Sequence, residues 1–191
     1  MTHAVAGFPA LPAVQAELDS LQQRYGGVVL LNQAFSPARL DQALQQGAFD
    51  IVHIASHGQF AATAAHSFLL TGQGPLPLEH FAQLMGRLRL RARPLALLTL
   101  SACDTAQGDD RAALGLAGVA IQAGARSALA SLWAIADDAT AELMQVFYTH
   151  LHTPGVSKAQ ALQRAQGALL QQPRYAEPVF WAPFLLLNNW L

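Results

Sequence analysis

The stretch PLALLTLSA, residues 94–102, carries no charged side chain on either of the faces that alternate along a strand. A strand apolar on both faces has to be covered on both, which places it in the interior of a sheet with layers above and below. DIVHIA at 50–55, β-branched and mostly apolar, reads as a second strand, and SALASLW at 127–133 as a third. Two shorter candidates are VVLL at 28–31 and SFLLTG at 67–72, the latter running into the turn-like GQGP. VFWAPFLLL at 179–187 is a last apolar segment, interrupted by Pro183 and therefore expected at an edge.

Helical patterns fall between these strands. Val14, Leu18, Leu21 and Tyr25 recur at helical spacing, and the glycine pair 26–27 ends that helix. Ser36 followed by Pro37 is an N-cap with proline at the first helical position, and Gly47 closes the segment. LEHFAQLMG at 78–86 and RAALGLAGVAIQAGA at 111–125 read as helices, with Gly124 as a C-cap for the second. Asp137 or Asp138 caps a helix reaching about His152, and Ser157 with Gln160 makes a capping box for one reaching about Gln171. Strands alternating with helices imply an α/β fold, a mostly parallel central sheet with helices on both faces. With no repeat and no long linker, residues 1–191 are expected to form one domain.

Composition narrows the function classes. Hydrophobic residues make up 52% and charged residues 12%, with a formal net charge of -1 and scattered Lys and Arg. No basic patch recommends nucleic acid as a direct partner. Cys103 is the only cysteine, so no internal disulfide forms and a reducing cytoplasmic setting is expected. The N-terminus lacks the charged and apolar regions of a signal peptide. The most apolar stretch, 112–136, is broken by GAR and holds Gln122, Arg126, Ser127 and Ser131, so a buried helix and strand are expected there rather than a membrane span.

Polar groups in a parallel α/β sheet gather beyond the carboxyl ends of the strands. Two clusters fall there: ASHG at 55–58 and SACDT at 101–105. If their strands are neighbours, His57 and Cys103 share one end of the sheet. A thiol with an ordinary pKa near 8.5 is only a few per cent thiolate at pH 7, and a nearby imidazole raises its nucleophilicity. Gly58, lacking a Cβ, could turn its N–H toward an oxyanion together with the N–H of Cys103. These residues by themselves leave two readings of Cys103 open, a nucleophile paired with His57 or a small buried hydrophobe.

Competing chemistries find less support. His53 and His57 are four residues apart on a strand, about 13 Å at roughly 3.3 Å per residue, too far for a shared zinc with bonds of about 2 Å. His53 is better read as a partly buried sheet residue with its ring hydrogen-bonded. His3, His66, His80, His150 and His152 show no convergent spacing, so no metal and no cofactor are expected. Neither a G-x-S-x-G elbow, a G-x-G-x-x-G turn nor a P-loop occurs.

At DIVHIASHG, LTLSACDTAQG and GLAGVAIQAGARSALASLWAIADDAT the sequence resembles the CHAT domain, a caspase-like cysteine peptidase family related to separases and caspases. SKAQALQRAQ and WAPFLLL are similar to the family's C-terminal helix and last strand, so the resemblance covers nearly the whole chain. It implies a three-layer caspase-like sandwich. It also implies His57 as general base or imidazolium partner, Cys103 as nucleophile, and Gly58 with the Cys103 N–H as oxyanion hole. The strand matching ASLW would pair with a peptide substrate, making Ser131 and Trp133 binding candidates. Asp104, Asp137 and Asp138 would make the pocket acidic and favour a basic P1 residue, while helix capping is the plainer role for Asp137 and Asp138.

The resemblance implies a cysteine endopeptidase acting on a protein or peptide substrate. A caspase-like interaction module without catalysis is the other reading. Two departures stand out. AIADD replaces the common PVDD after the tryptophan, and the helical TPR-type repeats that often precede and gate this domain are not in these 191 residues. The repeats are expected on a longer parent chain, or this is a stand-alone form answering to another activator. The segment before Leu11 is short for the family, leaving a first strand unaccounted for.

Overall fold

The computed structural model describes residues 1–59, 67–90, 94–101 and 124–191. The other strands of the main sheet are arranged around strand β5, which spans Leu97–Leu100, all four residues buried. Its neighbours in a four-stranded sheet are β1 (Ile51–Ile54) on one side and β6 (Ser127–Ser131) on the other, both parallel to it. Strand β7 (Phe184–Asn188) closes the far edge antiparallel to β6. Within the apolar run at 94–102, Leu97–Leu100 thus forms an interior strand, and the proline-interrupted segment supplies an edge strand.

Side-chain alternation sends the sheet's residues into two apolar layers. Val52, Ile54, Leu98, Leu100, Ala128 and Ala130 pack into one of them. That layer is covered by helix α2 (Pro37–Gln46) through Leu40 and Leu44, and by helix α3 (Leu78–Gly86) through Phe81 and Met85. Ile51, Leu97, Leu129 and Leu186 face the other layer. Leu143 and Phe147 of helix α4 (Asp137–Leu151), Ala161 and Leu169 of helix α5 (Lys158–Leu170), and Leu21 of helix α1 (Ala13–Tyr25) cover it. The result is a three-layer α/β sandwich of caspase-like form, with a mostly parallel sheet in the middle.

Local chemistry sets the ends of these elements. Ser36 Oγ accepts from the Arg39 N–H at 3.3 Å with Pro37 at the first position of α2. Ser157 and Gln160 form the reciprocal capping box of α5, at 3.2 and 3.0 Å. Gly26 and Gly27, with φ of +68° and +99°, end α1 in a conformation that disfavours any residue with a Cβ. The helix expected at 111–125 lies outside the described residues apart from its last two positions, where Gly124 has φ +65°.

Three expectations need correction. VVLL at 28–31 is not a strand: it has no ladder partner, and with the β1 edge it lines a cavity of about 440 Å³. The left-handed turns at Gly26, Gly27 and Asn32 (φ +54°) steer the segment without bringing it onto β1. GQGP is only half a turn. Gly72 and Gln73 form the bend, and Gly74–Pro77 is strand β4, antiparallel to β3 (Phe68–Thr71). Pro75 and Pro77 are tolerated because β4 is the edge of this small sheet, in the order β2–β3–β4 with β2 at Gly58–Gln59. Finally, the N-cap of α4 is Ala136, without a side-chain cap, and Asp137 and Asp138 are its first two helical residues.

Among the described residues no helix is long and apolar enough to cross a membrane. Leu98, 1% exposed at the middle of β5, tests the role of the interior strand. Leu98→Ala is expected to lower unfolding free energy by about 2–5 kcal/mol, from lost transfer energy and the cavity left behind. Urea unfolding followed by circular dichroism measures it.

Candidate functional site

Parallel pairing of β1 with β5 brings their carboxyl ends together. Ile54 is in register with Leu100, and the Ser101 N–H donates to the Ile54 carbonyl at 3.0 Å. His57 and Cys103 each follow that register pair by three residues in the chain. Cys103 and Asp104 themselves lie outside the described residues.

The turn that carries His57 is fixed at both flanks. Ser56 is buried, and its Oγ donates to the Leu70 carbonyl at 2.7 Å. The Leu70 N–H donates in turn to the His57 carbonyl at 2.8 Å. Gly58 is buried in β2, paired with Leu69, rather than in an open loop. The His57 backbone is therefore tied to the small sheet, while its half-buried ring faces the N-terminal segment.

That segment was not singled out by the sequence reading. Val5 and Phe8 exchange backbone bonds at 3.2 and 2.9 Å across a tight turn with Ala6 and Gly7 at φ +51° and +86°. The loop base is closed by the Leu11 N–H donating to the Met1 carbonyl at 2.9 Å, with the Met1 side chain in the core. At the tip, the Phe8 ring lies 5.3 Å from the His57 ring and packs edge-on against Phe68 at 5.9 Å. His57 Nε2 lies 2.9 Å from the Pro9 carbonyl oxygen. A carbonyl only accepts, so Nε2 carries the proton, and the neutral ring keeps its lone pair on Nδ1. Pro9 and His57 are 48 residues apart in the chain, and nothing in local sequence announces their contact.

The other candidates stand beyond the carboxyl end of β6 or on it. Ser131 is the buried last residue of β6, and its Oγ has no hydrogen-bond partner among the described residues. Trp133 is 37% exposed, with its indole N–H donating to the Val179 carbonyl at 3.1 Å. Asp137 accepts from the Ala13 N–H at 2.7 Å, at the N-terminus of α1. Burial raises the Asp137 pKa, the Ala13 bond partly offsetting it. Asp138 accepts from the Tyr175 hydroxyl at 2.6 Å and from the Ala139 N–H at 2.9 Å. The Tyr175 bond holds its carboxyl below the usual range.

His53 faces away from this edge cluster, into the layer under α1 and α4. Its Nδ1 lies 3.0 Å from the Tyr148 hydroxyl and its Nε2 lies 2.7 Å from Glu17 Oε1. A buried glutamate was legible in principle, since Glu17 lies three residues after Val14 and four before Leu21, on the apolar stripe of α1. Among the described residues no three His, Cys, Asp or Glu side chains converge as metal ligands.

A family model described as the CHAT domain matches residues 2–189, nearly the whole chain. No curated protein matches the sequence.

The two aspartates of α4 have pKa values displaced in opposite directions, and their effects on stability should slope oppositely with pH. A lowered carboxyl contributes stability above its unfolded value that is lost as pH falls. A raised one contributes stability at low pH that is lost as pH rises through the folded value. Across about pH 2 to 7, the deficit of Asp138→Asn relative to the parent should therefore develop below about pH 4 as pH rises and stay level above it, while Asp137→Asn should gain on the parent as pH rises above about 4. Melting temperatures of the three proteins across that range check both signs.

Proposed function

Because the chain belongs to the CHAT domain family, which is caspase-like and related to cysteine peptidases, we propose that it is a cysteine endopeptidase with a Cys103–His57 dyad. The observation that carries this reading is the β1–β5 register, which starts the approaches to His57 and Cys103 from paired residues, Ile54 and Leu100. Equal offsets of three residues from one rung support a meeting of the two side chains at the carboxyl end of the sheet.

In this mechanism His57 Nδ1 takes the Cys103 proton, because Nε2–H is engaged by the Pro9 carbonyl. Pro9 then fixes the tautomer and Phe8 fixes the ring plane, the orienting role that a third group plays beside a nucleophile and its base. The Cys103 sulfur attacks the substrate carbonyl carbon, and the carbonyl π pair moves to oxygen as the oxyanion. The N–H groups of Gly58 and Cys103 would receive that charge. Collapse expels the amine, which takes the proton from Nδ1, and leaves a thioester. Water then hydrolyses the thioester with His57 as base, regenerating the thiol.

For the substrate, Ser131 and Trp133 are the proposed contacts at the carboxyl end of β6; the strand itself is paired on both sides, by β5 and β7, so a peptide would dock beyond its end rather than add to it as a further strand. Trp133, 37% exposed, is the accessible one of the two; Ser131 Oγ has no hydrogen-bond partner among the described residues but is buried, so its role is to support that end of β6. Asp137 and Asp138 are already engaged by Ala13 and Tyr175, so a preference for a basic P1 residue would rest mainly on Asp104. A protein substrate, control by an activator or by TPR-type repeats, and a cytoplasmic setting complete the proposal.

Incubation with a thiol-directed peptide probe tests it. Cys103 should label much faster than a free thiol, with labelling abolished by Cys103→Ala and cut by about 100-fold or more in His57→Ala. Labelling no faster than a free thiol, with no protein cleavage lost in Cys103→Ala, would sink the peptidase reading and leave an interaction module. A peptide-library cleavage profile checks P1: cleavage after apolar residues returns all three aspartates to structural roles.

A further inference from the structure

Under the β1–β5 pair lies a set of buried polar groups that the proposed mechanism does not use. Glu17 of α1 is 3% exposed, Thr99 of β5 is fully buried, Ser101 just beyond β5 is 1% exposed, and Tyr148 of α4 is 2% exposed. His53 of β1 joins them. Its Nε2 is 2.7 Å from Glu17 Oε1 and 3.4 Å from Ser101 Oγ. Its Nδ1 is 3.0 Å from the Tyr148 hydroxyl, which lies 2.8 Å from Thr99 Oγ1. Burial pushes the Tyr148 phenol up, so it remains a neutral hydroxyl in the network.

Serine, histidine and glutamate within reach of one another invite comparison with a second nucleophilic site, and the geometry refuses it. In such a relay the acid holds one ring nitrogen and the serine the other. Here Glu17 and Ser101 both face Nε2, and Tyr148 occupies Nδ1. Ser101 is also closed off from a substrate.

Nor is the set well suited to plain stabilisation. Glu17 Oε1 meets His53 Nε2 at short range but off the hydrogen-bond direction, and it has no aligned partner among the described residues. A buried ionisable pair of this kind is commonly no better for stability than apolar residues of the same volume. Its location offers a more specific use. His53 is four residues before His57, and Ser101 two before Cys103. His53 pairs in register with Thr99, so its ring contacts β5 at the level where that strand gives way to the Cys103 segment. Ser101 is held twice there, by its N–H on Ile54 and by its Oγ on His53.

We propose that Glu17 and His53 are positioning residues: with Tyr148 behind them, they hold Ser101 to β1 and so set the approach of Cys103 to His57. This rests on the dyad reading above. The fixed groups are drawn from α1, β1, β5 and α4, so both sheet strands and the layer covering them are joined at one imidazole. Misplacing a reacting group by about 1 Å can cost on the order of 100-fold in rate, so removing one anchor has a kinetic signature out of proportion to its packing.

Cys103 is the sole cysteine of these 191 residues, so the alkylation rate of the 191-residue chain with iodoacetamide reports on that thiol alone. Rates are compared for the parent, His57→Ala, Glu17→Gln and Tyr148→Phe. A core control, Leu169→Ala, lies on α5, which gives no residue to the network. Glu17→Gln and Tyr148→Phe keep side-chain shape, and Tyr148→Phe serves where Glu17→Gln fails to fold. Measured below all melting transitions, the two network variants are expected to slow alkylation about tenfold, and Leu169→Ala by less than a factor of about two. Equal slowing in the core control, or an unchanged rate in the network variants, overturns the positioning role and leaves the dyad standing. An unchanged rate in His57→Ala overturns the dyad itself and the positioning role with it.

Discussion

Parallel pairing of Ile51–Ile54 with Leu97–Leu100 governs where the polar groups at the carboxyl edge of the sheet stand. Four backbone rungs align the two strands, and burial of Leu97–Leu100 on both faces keeps that alignment from slipping. A slip of one residue would send Leu98 and Leu100 into the layer of α4 and reverse every neighbour. Because the register holds, the ASHG turn and the chain leaving β5 emerge side by side. The small antiparallel sheet then fixes the first of these, through Ser56, His57 and Leu70.

Two supports converge on the same edge from opposite sides of the chain. From above, the N-terminal loop delivers Phe8 and the Pro9 carbonyl to the His57 ring. From within, α1 delivers Glu17 to His53, and α4 delivers the Tyr148 hydroxyl. Asp137 ties α4 to α1 within the second support, since it accepts from the first N–H of α1. The elements that cover the sheet are thus also the ones that orient its polar end, and packing and chemistry are not separable in this half of the molecule.

Much of the fold was legible because apolar periodicity is local. The interior strand within 94–102, the capping box at Ser157 and Gln160, and the Ser36–Pro37 helix start all rest on neighbours within a few residues. The failures share a cause as well. VVLL has strand composition, but pairing requires a partner edge, and composition cannot place one. GQGP has turn composition, yet Pro75 and Pro77 fit an edge strand once β3 lies alongside. Asp137 and Asp138 look like caps by position, while their carboxylates answer to Ala13 and Tyr175 from distant parts of the chain.

The candidate site divides in the same way. The sequence by itself determined the apolar strands, the polar ends that follow them, and the motifs of a CHAT domain around His57 and Cys103. Burial pattern and residue type suffice for these, since each is a property of a short stretch. Tertiary structure alone decided that β1 and β5 are neighbours in register, that Pro9 faces Nε2 of His57, and that Glu17 ends beside His53. Each of these joins groups far apart in the chain, through hydrogen bonds and charge contacts that act over a few ångströms and leave no periodicity to read.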